Sequence, residues 1–295
     1  MRKSLFSLLA FALLASSCSL HDKLYIDLPG TAWEYVSGNV TTWVSFHDDS
    51  HASIMQYNAS NKRQQVDHGT YTCDGHLVVI TPSRAQQYSL VRTYSNLKHF
   101  SDNHNFTKLR TWSYPTLETT IWASTDTNDF HILYLKEEGV AVDVVYNNIT
   151  REEDMYYGWK AAKSTYIHSS DKMDAGGATA LLYKDFFSTD KYSLMFCTGT
   201  ENEEEGGSTS TLKGTVWAYN NTGYPADAPY VIIFNGNKTF TRLFANSAIS
   251  YTVESGTYSE EGGTVSFELD DKKGSCPISG SSFTLWERTY KKLDY

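Results

Sequence analysis

The chain has 295 residues, with 25 lysines and arginines against 34 acidic residues and a formal charge of -9. That balance lacks the cationic footprint a phosphate backbone demands, so nucleic acid is not an expected partner. With 21 Tyr, 7 Trp and only 6 Pro, and 20% charged residues, it is too aromatic and too weakly charged for disorder; it suits an ordered, β-rich protein.

Met1-Arg2-Lys3 is a short cationic run, Ser4 to Leu14 is an apolar stretch of eleven residues, and Ala15-Ser16-Ser17-Cys18 follows. Eleven helical residues rise about 16 Å, well short of a hydrocarbon core of roughly 30 Å. The segment therefore reads as a secretory signal ending in small residues, not as a membrane span. With a cysteine directly after the small residues, it resembles a bacterial lipoprotein signal. Ala15 stands where that family usually has Leu, with Leu14 one step earlier. The resemblance implies cleavage after residue 17, acylation of Cys18 by palmitate-type chains, and a tether over 18–27. It also implies a lipid-anchored place in the bacterial cell envelope, expected at the outer membrane. Removing residues 1–17 takes away Arg2 and Lys3 and leaves 278 residues at -11.

Beyond the tether the chain repeats. Leu28-Pro29-Gly30-Thr31-Ala32-Trp33 returns as Leu212-Lys213-Gly214-Thr215-Val216-Trp217, and more weakly as Leu117-Glu118-Thr119-Thr120-Ile121-Trp122. Gly69-Thr70-Tyr71 returns as Gly256-Thr257-Tyr258, with Tyr157-Gly158-Trp159 read as the middle counterpart. Fixed-period self-similarity marks repeated structural units, here 28–110, 111–197 and 212–295. The acidic, Gly/Ser/Thr-rich segment 198–211 between the last two reads as a linker.

Within each copy the period is two. Val40 to His47, Leu77 to Ile80, Gln87 to Tyr94, Ala141 to Tyr146, Ile249 to Glu254, Thr264 to Leu269 and Phe283 to Tyr290 read as half-buried strands. Asp74-Gly75, Asn235-Gly236-Asn237 and Glu261-Gly262-Gly263 mark turns. The pattern predicts about seven short strands per copy. Glu152 to Lys163 and Ala178 to Phe187 fit a helix as well as a strand.

A Gly-x-x-Trp opening, an up-and-down run of strands and a central Gly-Thr-Tyr resemble the lipocalin-like repeats of lipoproteins from Bacteroides-type bacteria. The likeness covers Leu28 to about Leu293 and rests on short motifs. Lipocalins proper carry Gly-x-Trp; an extra residue intervenes here, and the middle copy lacks the glycine. The resemblance implies an all-β protein of three tandem, small, antiparallel up-and-down β-barrels. It says little about activity.

No nucleophile elbow, phosphate loop, HExxH or EF-hand loop is present, so neither catalytic residues nor a cofactor are expected. Seven of nine histidines precede residue 105, His47, His51 and His68 among them, but they match no ligand spacing and no metal site is expected. Cys73, Cys197 and Cys276 are an odd number for an oxidising compartment; their spacing selects no disulfide, and small buried residues is the favoured reading. Trp33, Trp122 and Trp217 read as buried plugs at the barrel ends. Trp43 shares a face with Ser45 and His47, and Trp286 with Thr284 and Arg288. These two are the candidate ligand-binding residues, platforms for a sugar or a partner protein, or else covers of a contact between copies. Copies of this size are expected to fill their own interiors, leaving binding to an outer face, an open end or a groove between copies. The expected role is a non-enzymatic binding or scaffold module on a lipid anchor. The alternatives are a surface glycan-binding lipoprotein and a carrier of a small apolar ligand.

Overall fold

A computed structural model describes residues 25–125, 129–147, 158–175, 177–190, 192–198, 210–219, 229–235, 238–247, 250–270 and 272–295. The signal, Cys18 and most of the expected linker lie outside the described residues. The period of two is realised as antiparallel strand throughout, in three consecutive sets of eight.

The first set is β1 (Thr31–Ser37), β2 (Val40–Phe46), β3 (His51–Asn58), β4 (Arg63–Asp74), β5 (Leu77–Pro82), β6 (Tyr88–Arg92), β7 (Leu97–His99) and β8 (Asn105–Lys108). Each strand pairs with the next, and β8 returns to β1 through Trp33↔Lys108, closing a barrel. The second set is β9 (Thr120–Thr125), β10 (Asp129–Leu135), β11 (Val140–Asn147), β12 (Trp159–Ser169), β13 (Lys172–Ala175), β14 (Ala178–Leu182), β15 (Phe186–Ser188) and β16 (Ser193–Thr198). It too is a closed barrel. The third set is β17 (Val216–Tyr219), β18 (Tyr230–Phe234), β19 (Thr239–Ser247), β20 (Ser250–Glu261), β21 (Thr264–Leu269), β22 (Lys272–Pro277), β23 (Ser282–Leu285) and β24 (Arg288–Lys292).

Among the described residues two closed barrels form, not three. The third set runs β22-β21-β20-β19-β18-β17-β24-β23 without a ladder between β22 and β23. Pro277 ends β22 with no N–H to donate. The β23–β24 hairpin lays side chains over that edge: a Cβ on Gly274 would lie 2.7 Å from Leu285 Cδ1 and 3.1 Å from Trp286 Nε1. The count is eight strands per copy, because β7, β8 and β15 are too short to show alternation. Residues 178–187 are strands, not helix, and so is the described part of 152–163, which begins β12.

The opening motif builds one device three times. Leu28, Leu117 and Leu212 each accept the backbone N–H and the hydroxyl of the threonine three residues on. That hydroxyl in turn accepts the indole N–H of Trp33, Trp122 or Trp217, at 2.9, 2.9 and 2.8 Å. The turn requires a left-handed residue before the threonine: Gly30 (φ 69°), Gly214 (φ 74°) and, in the middle copy, Thr119 (φ 64°). The geometry thus survives the loss of the glycine, at the cost of a β-branched residue in a disfavoured region. All three tryptophans are buried, each in the interior of its own set.

The middle Gly-Thr-Tyr is not Tyr157-Gly158-Trp159. Ala52↔Gly69, Phe240↔Gly256 and Ala141↔Ser164 are matching pairs, so the counterpart is Ser164-Thr165-Tyr166. Gly69 and Gly256 are needed because a Cβ would meet the carbonyl of Thr81 at 2.2 Å and of Glu268 at 2.3 Å. In the second barrel β13 ends at Ala175, opposite Tyr166, and does not reach Ser164.

The outward faces are apolar too, and they pack on one another. One buried cluster draws Ala32, Trp43, Met55 and Val66 from the first set, Phe130, Ile132 and Trp159 from the second, and Val231, Ile233 and Tyr251 from the third. Gln64, Trp159 and Tyr251 occupy one equivalent position, five residues before Gly69, Ser164 and Gly256. Each donates across a boundary to a main-chain carbonyl: Gln64 to Phe196 at 2.8 Å, Trp159 to Tyr219 at 3.2 Å and Tyr251 to Ala123 at 2.7 Å. β20 also pairs with β4 through Ser250↔Gln65 to Thr252↔Arg63, joining the third set to the first in one sheet.

Candidate binding sites

Two clefts lie between sets. The larger, about 370 Å³, opens where all three meet. The first set contributes Trp43, Tyr57 and Gln64, the second Asp185 and Cys197, and the third Ser255. Trp43 is only 4% exposed. Its indole N–H donates to Glu34 Oε2 at 2.9 Å and its ring lies 6.3 Å from that of Phe186. It therefore sits at a contact between copies and lines the cleft with an edge. Burial raises the Asp185 carboxyl above its ordinary range, and it pushes the Cys197 thiol up far enough that the thiol is not a ready nucleophile at neutral pH.

The smaller cleft, about 200 Å³, lies between the first two barrels and exposes part of a Ser/His network. His47 Nδ1 lies 3.0 Å from the Thr189 carbonyl, and its Nε2 lies 2.6 Å from Ser53 Oγ. Ser53 Oγ is also 2.7 Å from His68 Nδ1. A carbonyl only accepts, so His47 carries its proton on Nδ1 and Nε2 accepts from Ser53, which accepts from His68. Ser188 Oγ, 3.1 Å from His47 Nδ1 and 2.8 Å from Ser45 Oγ, therefore faces an N–H and not a base. His47 titrates at about 4 in place of 6.5, held down chiefly by burial against the opposing Thr189 hydrogen bond and Asp48 charge. The network is suited to fastening two barrels together. His51 does not join it: it pairs with Asp48 at 2.8 Å on the surface. Among the described residues no three His, Cys, Asp or Glu side chains are grouped to hold a metal ion.

Trp286 is not in a strand. It and Glu287, at φ 48° and 65°, form the two-residue turn that joins Leu285 to Arg288, so the expected strand from Phe283 to Tyr290 is a hairpin. Two positive φ angles define a type I′ turn, normally Asn-Gly, and this sequence gives no such signal. The half-buried Trp286 ring has the Arg242 guanidinium 4.8 Å from its centroid. Of the three cysteines expected to be buried, Cys276 is, whereas Cys197 is half-buried and Cys73 exposed; none forms a disulfide. Of the linker, Ser210 and Thr211 are fastened by three hydrogen bonds to the Glu260 carboxylate, at 2.6–3.1 Å.

No family model matches the chain, and no curated protein matches it. Among solved structures, a DNA polymerase sliding clamp from Pseudomonas aeruginosa aligns at 6% identity over 92% of this chain and 93% of that one, with a TM-score of 0.16. A DnaN sliding clamp from Bartonella birtlesii aligns at 7% identity over 91% and 92%, with a TM-score of 0.14. Scores this low carry no argument about fold or function. No helix among the described residues is long and apolar enough to cross a membrane.

Proposed function

We propose that the chain is a non-enzymatic, lipid-anchored protein of the bacterial cell envelope that acts as a binding or scaffold module of three tandem lipocalin-like units. The observation that carries the binding role is the junction cleft, whose walls come from all three sets of strands. A site spread over three units that share one buried core is preorganised, which lowers the entropy lost on binding. The interiors of the two closed barrels hold their own buried side chains, which favours clefts between units over a carrier for an apolar ligand. Support for the anchor is the cysteine that follows the apolar segment and small residues.

Two measurements test this reading. Radiolabelled palmitate is expected to label the protein and to be lost in Cys18→Ala; a Cys18→Ala protein that still labels removes the anchor. Ser255→Trp, at an exposed position on the cleft rim, is expected to abolish partner binding without lowering the thermal midpoint. A partner that binds this variant undiminished uses another surface. The second reading, a glycan-binding surface lipoprotein, draws on Trp43 and Tyr57 beside the polar Gln64 and Ser255 in the same cleft. Saturable quenching of tryptophan fluorescence by an oligosaccharide, lost in Ser255→Trp, would favour it; silence across a glycan panel returns the module to protein partners.

A further inference from the structure

The interior of the third set is not apolar to its end. Above the aromatic layer of Trp217, Phe234, Phe267 and Phe283, strand alternation turns Arg242, Glu254, Arg288 and Tyr290 inward. Arg242 is 6% exposed and donates from Nε to Glu254 Oε2 at 2.6 Å, with a second nitrogen on the same oxygen. That carboxylate is engaged. Arg288 has no carboxylate within ion-pair distance among the described residues. It stacks 4.4 Å from the Tyr230 centroid and makes one long hydrogen bond, 3.5 Å, to the Trp286 carbonyl. Two guanidiniums, one buried and one half-buried, therefore face one carboxylate at this end of the unit.

Three buried donors in this region have no acceptor: Arg288 Nε, Tyr290 Oη and Trp286 Nε1. The Tyr290 side chain is fully buried, and burial pushes its phenol up to about 12, with Arg242 and Arg288 opposing, so it remains a donor. Its hydroxyl is particular to this unit. Trp33↔Lys108, Trp122↔Phe196 and Trp217↔Lys292 are matching pairs, which puts Phe106 and Leu194 where the third unit has Tyr290. Stacking on Tyr230 offsets part of the cost of burying Arg288, but it fills none of the vacant N–H and O–H bonds. A buried donor left without an acceptor keeps its desolvation penalty until an acceptor arrives, and a half-buried cation without a counter-charge favours an anion beside it.

We infer that the inner end of the third unit is a site for a small organic carboxylate, received by Arg288 and Tyr290 beside the Arg242–Glu254 pair. The planar guanidinium fork matches two carboxylate oxygens, and the Tyr290 hydroxyl supplies a further donor. Tyr230 and Trp286 offer aromatic walls for the body of the ligand. The site is separate from the junction cleft, so its test is independent of that reading.

Titration calorimetry of the whole protein with benzoate is expected to give saturable binding of one molecule per chain in the millimolar range or tighter. Phosphate and sulfate are expected to bind weakly or not at all. Tyr290→Phe restores the residue type of the first barrel, and Arg288→Gln removes the cation; each is expected to weaken benzoate by at least about tenfold. Trp286→Phe, which lacks the third donor, gives an independent reading should either variant fold poorly, through a smaller loss of affinity. Absence of saturable benzoate binding overturns the proposal, as does unchanged affinity in Arg288→Gln or Trp286→Phe. Preference for phosphate or sulfate over benzoate overturns the carboxylate assignment.

Discussion

The first barrel and the third unit begin alike and end differently. Both open on a leucine, a left-handed glycine, a threonine and a buried tryptophan joined by the same hydrogen bonds. Toward the other end the first barrel places Ile54 and Phe106 inside, where the third unit places Arg242 and Tyr290. The first pairs β6 with β7 within its closed ladder; the third is unladdered between the corresponding β22 and β23. The common end is set by backbone geometry that each unit needs in order to fold. The other end is constrained only by volume and charge balance, and it is there that the units have diverged.

The contrast is tested most severely through charge. Glu254→Gln strips the buried Arg242 of its partner and is expected to cost about 3–5 kcal/mol in urea unfolding. Asp143→Asn removes the partner of His131 in the second barrel, where the side chains are 23% and 42% exposed, and is expected to cost under about 1 kcal/mol. Equal losses would mean that the charge pair of the third unit is no better shielded from water than that of the second barrel.

The next effect concerns the seam between the first two barrels. His47 is bound neutral, at about 4 against an ordinary 6.5. The unfolded chain takes up its proton first as pH falls, so this contribution is complete above about pH 6.5 and declines down to about pH 4. The loss is about 3 kcal/mol by the linkage relation. Unfolding at pH 7 and pH 4 in the parent and in His47→Asn separates this contribution from the rest, since the variant lacks the histidine-dependent part of the decline.

Two backbone substitutions sharpen the comparison further. Gly69→Ala drives a Cβ into the Thr81 carbonyl and is expected to lower stability by about 2–3 kcal/mol. Ser164→Gly at the matching place is expected to change it by no more than about 1 kcal/mol. Smallest of all, Thr119→Gly relieves a positive φ and is expected to raise stability by about 1 kcal/mol, read as a higher thermal midpoint.

The repeated opening was legible because its side chains bond to one another within six residues, which keeps sequence and geometry together. Gly-Thr-Tyr was legible only where a crossing strand forbids a Cβ; in the second barrel β13 stops short, and Ser164 hides the match. The hairpin at Trp286-Glu287 carried no turn residue to announce it. The shared core did leave a sign: Tyr230 to Phe234 and Ile132 to Leu135 are continuous apolar runs, the mark of strands buried on both faces. The junction cleft was not legible, because Trp43, Asp185 and Ser255 meet only through the docking of three units.

The pairing of β20 with β4 also bears on the order of assembly. Arg63 reaches Ser250 at 2.5 Å across 187 residues of chain. Each closed barrel is made of strands consecutive in sequence and can form early from local hairpins, whereas a contact of such separation bears a large loop-closure cost. The clasp between first and last units, and the common core beneath it, therefore come late. Until β20 is in place, the parts of the common core that the third unit covers, Trp43 and Phe130 among them, stand exposed.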